Sequence, residues 1–120
     1  MREPLRDKTR LEHILEAIER LEKYAGSLSR EELEADVLRY YGIVKNIEII
    51  GEAANLLTKE FREEHPQTPW RDIVDMRNVL VHGYFTTSAR FIWETYTKDL
   101  PLLLDQVKQY ITEIKNHYLK

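Results

Sequence analysis

Residues 43–57 read IVKNIEIIGEAANLL, and their apolar side chains recur at steps of three and four. That spacing places the apolar side chains along one face of an α-helix. Continued by one further turn, the first apolar row consists of Ile43, Ile47, Ile50, Ala54, Leu57 and Phe61. A second row, formed by Ile49, Ala53 and Leu56, lies beside it. Because so wide an apolar sector is buried only by neighbours on two sides, we expect a central helix, with a second copy of the chain as one candidate neighbour.

The helix that contains this stretch is predicted to run from Val37 to about Glu64, with any interruption near Gly42. Pro66 and Pro69 mark its exit, because proline cannot donate the backbone hydrogen bond that continues a helix. Gly51 costs about 1 kcal/mol relative to alanine in a helix interior. We therefore expect Gly51 to permit the close approach of a neighbour.

Two helical signals precede this element. Apolar residues between Leu11 and Ala25 recur at helical spacing, and they predict a first helix that Asp7 caps and Gly26 ends. The segment 29–32 reads SREE, a capping box in which the serine and the last glutamate each accept a hydrogen bond from the backbone of the other. A second helix is predicted to begin there.

Two more helices are predicted downstream. The segment 68–70, Thr-Pro-Trp, is typical of an N-cap followed by proline in the first turn, and it opens a short helix that stops near Gly83. A last helix starts around residues 87–88, is disturbed locally by Pro101 and continues to about Tyr118. Since no period-2 strand pattern is found, residues 1–120 are predicted to form one all-α domain, an up-and-down bundle of about five helices.

Composition excludes several classes of protein. A chain of 120 residues without cysteine has no disulfide and no thiolate metal site or nucleophile, which is typical of a reducing cytosol. No segment approaches the roughly 20 apolar residues of a membrane span, and the start of the chain lacks an apolar signal core. We therefore expect a cytoplasmic protein with no membrane partner.

The charge is slightly acidic and unevenly distributed. A net charge of −3 argues against a general nucleic-acid coat, because affinity for polyphosphate comes mainly from Lys and Arg. Residues 29–65 carry five Lys or Arg against nine acids, whereas residues 70–98 carry four against three. If the protein binds RNA, we expect residues 70–98 to make the contact, because their net charge is not negative.

Residues 77–84 read RNVLVHGY and hold the main candidate for chemistry. Asn78 and His82 are one helical step apart and can touch, whereas Arg77 and His82 are about 140° apart around a helix. One copy therefore does not bring both groups to one atom. Two copies about a two-fold axis offer two imidazoles and two guanidiniums to one cleft, which suits phosphodiester cleavage without a metal. Taken alone, the residues favour a plainer interpretation, in which Arg77 and His82 cap a helix end.

The pattern Arg77-x4-His82-x-Tyr84, with a polar residue directly after the arginine, resembles the signature of HEPN-domain proteins and specifically of the HepT toxins. Further segments that resemble this family are the triplet GEA at 51–53, the pair PW at 69–70, Trp93 and the triplet DLP at 99–101. The similarity therefore spans nearly the whole chain, and the motif itself shows no departure.

The resemblance implies a homodimeric, metal-independent endoribonuclease that serves as the toxin of a toxin–antitoxin pair. His82 would be the acid and base, Arg77 the phosphate ligand and Asn78 an orienting group. It also implies an MNT-type nucleotidyltransferase partner that neutralises the toxin by attaching AMP to Tyr84. Glu52, in the similar Gly-Glu-Ala segment, is a candidate for reaching the motif helix and orienting Arg77.

Two other classes of function stay open. The chain is alternatively a binding module that docks a nucleotidyltransferase and holds nucleotide or RNA without cleaving it, or a plain helical dimer whose motif only stabilises a helix end. His13, His65 and His117 have no companions at metal-ligand spacing, so we expect no metal and no other cofactor.

Overall fold

Helix-forming spacing along the chain gives an architecture in which every regular element is helical. The computed structural model describes residues 3–81 and 89–118, and no strand occurs among them. The α-helices are α1 Glu3–Ala25, α2 Arg30–Ala35, α3 Val37–Asn55, α4 Lys59–Glu64, α5 Trp70–Val81, α6 Ala89–Glu94 and α7 Leu100–Tyr118, with a π-helical segment at Thr95–Asp99. The predicted all-α bundle is confirmed.

The central helix of the bundle is α3, as its two apolar rows predict. It packs against both α1 and α5, and α1 also packs against α7. All six members of the first apolar row are buried in the core. In the second row Ala53 is buried and Ile49 half-buried, but Leu56 stays 42% exposed. The same chain therefore supplies both expected neighbours and leaves the end of the second row uncovered.

Asp7 does not cap α1 as predicted, because α1 begins at Glu3 and Asp7 lies inside it. Its carboxylate is buried and accepts two hydrogen bonds from Thr58, one from the backbone N–H at 2.8 Å and one from the hydroxyl at 2.7 Å. Asp7 thus joins α1 to the start of α4. The predicted end of α1 at Gly26 is confirmed.

The prediction of one helix from Val37 to Glu64 is wrong, because the helix ends at Asn55 and α4 begins at Lys59. Thr58 is the N-cap of α4, and its hydroxyl oxygen accepts from the Phe61 N–H at 3.1 Å. With Asp7 holding the Thr58 N–H as well, the backbone at this position bonds across the bundle instead of continuing α3. Gly42, the position to which any interruption was assigned, lies within α3.

The capping box at Ser29 is confirmed. The Ser29 hydroxyl accepts from the Glu32 N–H at 3.1 Å, and the Glu32 carboxylate accepts from the Ser29 N–H at 3.2 Å. The helix α5 begins at Trp70, one residue after the start predicted at Pro69. The Thr68 side chain, predicted as its N-cap, bonds elsewhere. The Thr68 hydroxyl instead donates to Gln106 Oε1 at 2.7 Å and lies 2.6 Å from the Tyr110 hydroxyl. The Thr68 hydroxyl, predicted to cap α5, therefore bonds side chains of α7 instead.

The predicted disturbance near Pro101 is confirmed as the π-helical segment Thr95–Asp99 directly before α7. Pro101 has no N–H to bond the carbonyl four residues earlier, so the regular ladder is interrupted at this point. Within the described ranges, no helix combines the length and apolar character that crossing a membrane requires.

Candidate functional site

The position of Arg77 is set by a glycine on the neighbouring helix. Arg77 lies on α5, which packs against α3 where α3 carries Gly51. A Cβ at residue 51 would overlap the Cβ of Arg77 and would lie 3.1 Å from the Ile73 carbonyl oxygen. The absence of a side chain at Gly51 therefore allows the close approach. The close neighbour predicted for Gly51 is therefore α5 of the same chain, the helix that carries Arg77.

The guanidinium of Arg77 is held from two directions. Nη2 lies 2.8 Å from Glu52 Oε2, and Nη1 donates a hydrogen bond of 2.8 Å to Asn78 Oδ1. Glu52 Oε2 is buried, yet it receives no hydrogen bond of good geometry from the described residues, so its contact with Arg77 is an ion pair without aligned donors. The arginine fork is therefore oriented while some of its five N–H donors stay available to a ligand.

An open pocket of about 270 Å³, here called the Arg77 pocket, lies beside this guanidinium. Its walls come from three helices, α1, α3 and α5. The lining residues are Arg10, His13, Lys45, Glu48, Ile49, Glu52, Ala53, Leu56 and Arg77. The pocket therefore combines three permanent cations and a histidine with two carboxylates and an apolar wall.

The structure brings together three of the five site residues proposed from the sequence. Glu52, Arg77 and Asn78 are in contact, as the geometry above describes. His82 and Tyr84 lie outside the described residues, which on this helix end at Val81. The catalytic, orienting and modification roles of all five stay predictions.

Sequence reasoning missed Arg10, His13 and Lys45 as neighbours of Arg77. His13 was considered only as a metal ligand, and the first helix only for its apolar stripe. Lys45 falls in a stretch whose net charge is negative, and its spacing indicated only a partner for the acids of its own helix. No local pattern reports that α1 and α5 reach the same pocket, because their proximity arises from both packing on α3.

Side chains of metal-ligand type, a histidine and two carboxylates, line the Arg77 pocket. Among residues 3–81 and 89–118 no group of three or more His, Cys, Asp or Glu side chains is arranged to hold a metal ion. In the same part of the chain, Glu48 lies 3.9 Å from Lys45, so the two acids of the Arg77 pocket each face a cation.

A family model described as ribonuclease HepT-like matches residues 14–110 of the chain. The chain belongs to the HepT-like ribonuclease family. The matched range includes Glu52, Asn78 and Arg77 together with the whole 77–84 motif. Arg10 and His13 precede the matched range, so the family model does not extend to the part of the Arg77 pocket that α1 supplies.

Individual relatives agree with this family. The chain is similar to a protein of Caldanaerobacter subterraneus subsp. tengcongensis named "Putative RNase", with 43% identity over 88% of this chain and 94% of the relative. It is 36% identical to a "Probable ribonuclease HepT" of Thermococcus cleftensis over 80% of this chain and 87% of that protein. A "Putative RNase" of Methanocaldococcus jannaschii is 30% identical over 84% and 93% of the two chains. No solved structure gives a significant match.

Proposed function

We propose that this protein is a cytoplasmic endoribonuclease toxin that cuts RNA without a metal ion in a cleft between two copies of the chain. Membership of the HepT-like ribonuclease family and the ribonuclease names of its relatives support this proposal. The observation that carries it is the Arg77 guanidinium, fixed by Glu52 and Asn78 at the edge of an open pocket. A guanidinium held in this way is prepared to bind a phosphate.

In the proposed reaction, a neutral His82 takes the proton from a ribose 2′-hydroxyl, and the 2′ oxygen attacks the adjacent phosphorus. The bond from phosphorus to the 5′ oxygen breaks, and a protonated His82 from the second copy donates its proton to that leaving oxygen. Arg77 stabilises the negative charge that develops on the phosphate oxygens. The products are a 2′,3′-cyclic phosphate and a 5′-hydroxyl end.

The homodimer is part of the proposal because one copy is not expected to bring these groups to one atom. Residues five apart on an ideal helix are separated by about 140°, so an uninterrupted helix through residues 77–82 would turn Arg77 and His82 to different sides. A two-fold axis near the motif ends would supply the missing groups from the second copy. A monomeric active enzyme would contradict this arrangement.

The activity is tested with purified protein and a labelled single-stranded RNA in excess EDTA. We expect cleavage that leaves cyclic phosphate ends and is lost in His82→Ala while the dimer persists. His117→Ala, which removes a histidine on α7, is the matched control and should cleave as the wild type does. Equal cleavage by His82→Ala would overturn the catalytic proposal, and RNA binding without cleavage by the wild type would favour the non-catalytic module instead.

We further propose that an MNT-type nucleotidyltransferase acts as the antitoxin by transferring AMP to Tyr84. A nucleotide attached two residues from His82 adds negative charge and bulk, and both would exclude RNA from the cleft. Co-expression with such an enzyme should add AMP to the intact mass of the toxin and stop RNA cleavage. A mass increase that persists in Tyr84→Phe would contradict this acceptor.

A further inference from the structure

Two side chains of the Arg77 pocket have no role in the proposed reaction. Arg10 and His13 lie one turn apart on α1 and face the pocket. Within the part of the chain that the structure describes, neither side chain has an ion-pair or hydrogen-bond partner. The half-buried Arg10 and the exposed His13 beside the candidate site are therefore available to a ligand.

The other charges of the pocket are already balanced. Glu52 faces Arg77 at 2.8 Å and Glu48 faces Lys45 at 3.9 Å, so each acid is opposite one cation. Arg10 is then the permanent cation of the pocket that faces no acid of the described residues, and the His13 imidazole lies beside it as a further hydrogen-bonding group. The α1 wall of the pocket is thus the side that attracts an anion.

Three of the residues that line the pocket are apolar. They are Ile49, Ala53 and Leu56, of which Leu56 is exposed over 42% of its surface. A ligand with a phosphate and a flat, weakly polar ring would satisfy both parts, because guanidinium groups bind phosphate while nucleobases lie on apolar surfaces. A nucleotide has this composition.

We propose that Arg10 and His13 form a phosphate subsite for the nucleotide that neighbours the cleavage position, with its base or ribose against Ile49 and Leu56. This inference rests on the proposed ribonuclease function and extends the substrate path from Arg77 along α1. Arg77 binds the phosphate that is cut, whereas Arg10 and His13 bind an adjacent phosphate and take part in no bond change.

A second copy of the chain is the competing occupant of this pocket. If the two-fold axis of the dimer passed through the α1 wall, Arg10 of one copy would lie opposite Arg10 of the other, and like charges directly opposite each other are repulsive. The axis proposed near the motif ends does not require that contact. The phosphates of RNA are negatively charged and would themselves neutralise the cationic α1 wall. The charge of the pocket therefore favours RNA over self-association.

The test compares two substrates on the double variant Arg10→Gln/His13→Gln. A single-stranded oligoribonucleotide of about eight residues reaches the subsite, whereas a dinucleoside monophosphate carries the scissile phosphate alone. We expect kcat/KM on the oligoribonucleotide to fall about tenfold through KM, with cleavage of the dinucleoside monophosphate unchanged. Arg71→Gln is the matched control, because Arg71 is 94% exposed on α5 and lies outside the pocket, and it should leave both substrates unaffected.

Binding gives an independent measure that does not require cleavage. The binding constant for the oligoribonucleotide is measured by fluorescence anisotropy at several salt concentrations, with His82→Ala as the background. In a plot of the logarithm of this constant against the logarithm of the salt concentration, the double variant should reduce the magnitude of the slope by about one to two. If the wild type does not cut RNA but this change in slope is found, the ribonuclease proposal fails and the subsite stands. Three results for the double variant would each overturn the subsite. They are an equal loss of kcat/KM on the two substrates, an unchanged KM for the oligoribonucleotide, and dissociation of the dimer.

Discussion

Asp7 and Glu52 are both acids that join two helices, but their environments are opposite. Asp7 is 4% exposed, and each of its carboxylate oxygens accepts a hydrogen bond from Thr58. The Glu52 side chain is 46% exposed, and its Oε2 meets the Arg77 guanidinium without an aligned hydrogen bond. The Asp7–Thr58 contact is enclosed by the protein, whereas the Glu52–Arg77 contact lies at an open pocket.

The difference separates an interaction that fixes the chain from one that presents a group. A buried carboxylate whose oxygens are bonded within the chain is out of reach of a ligand, and its removal leaves buried donors without an acceptor, which lowers stability. A half-exposed ion pair contributes little to folding stability because water screens it, but it orients the cation. We therefore expect changes at Asp7 to act on stability and changes around Arg77 to act on RNA cleavage.

The largest expected effect is that of Arg77→Gln on cleavage. If the guanidinium stabilises the transition-state charge as proposed, its loss should lower kcat about 100- to 1000-fold. The free energy of unfolding should change by less than about 1 kcal/mol, since the ion pair is partly exposed. Cleavage assays and urea denaturation measure the two quantities. A strongly destabilised variant with normal activity per folded molecule would make Arg77 a structural residue like Asp7.

Asp7→Ala should have the reverse profile. It leaves the Thr58 N–H and hydroxyl without their acceptor, so we expect the free energy of unfolding to fall by about 2 to 3 kcal/mol in urea denaturation. Activity per folded molecule should stay at the wild-type level. Asp36→Ala is the matched control, because Asp36 caps α3 with one bond to the Arg39 N–H and its loss should cost only about 1 kcal/mol. Equal losses in the two variants would refute the special role of Asp7.

Gly51→Ala and Gly42→Ala place the same methyl group on α3 in two environments. At residue 51 the added Cβ overlaps Arg77, and the repacking cost of about 1 to 3 kcal/mol exceeds the helix-propensity gain of about 1 kcal/mol. At residue 42, apart from the two chain neighbours and the helix's own backbone, no atom of the described residues lies within 4 Å of the added Cβ, so that variant should be more stable by up to about 1 kcal/mol. Thermal or urea denaturation should show opposite signs, together with reduced cleavage for Gly51→Ala alone. Equal stabilisation in both variants would mean that α5 yields easily at this contact.

The smallest expected effect is that of Glu52→Gln, which keeps the shape of the side chain and removes its charge. If Glu52 positions Arg77, kcat should fall about fivefold while KM for RNA does not rise, because a negative charge beside the phosphate site has been removed. Asp75→Asn removes an exposed acid from α5 away from the pocket and serves as the control. A rise in KM without a change in kcat would contradict a positioning role.

The sequence predicted most helices because their signals are local. Apolar spacing, the capping box at Ser29 and the effect of Pro101 on its own helix depend only on nearby residues. The break between α3 and α4 was missed because Asp7, which bonds Thr58, comes from another helix. Thr68 was misassigned for the same reason, since its bonding partners lie on α7.

The candidate site divides in the same way. The sequence alone determined the all-α class, the motif and the candidate pairing of Glu52 with Arg77, because these follow from periodicity and from resemblance to a family. Only the tertiary structure decided that Gly51 receives Arg77 and that α1 places Arg10 and His13 in the same pocket. Packing against α3 joins segments that are far apart in the chain, and no local sequence pattern encodes which side chains then meet.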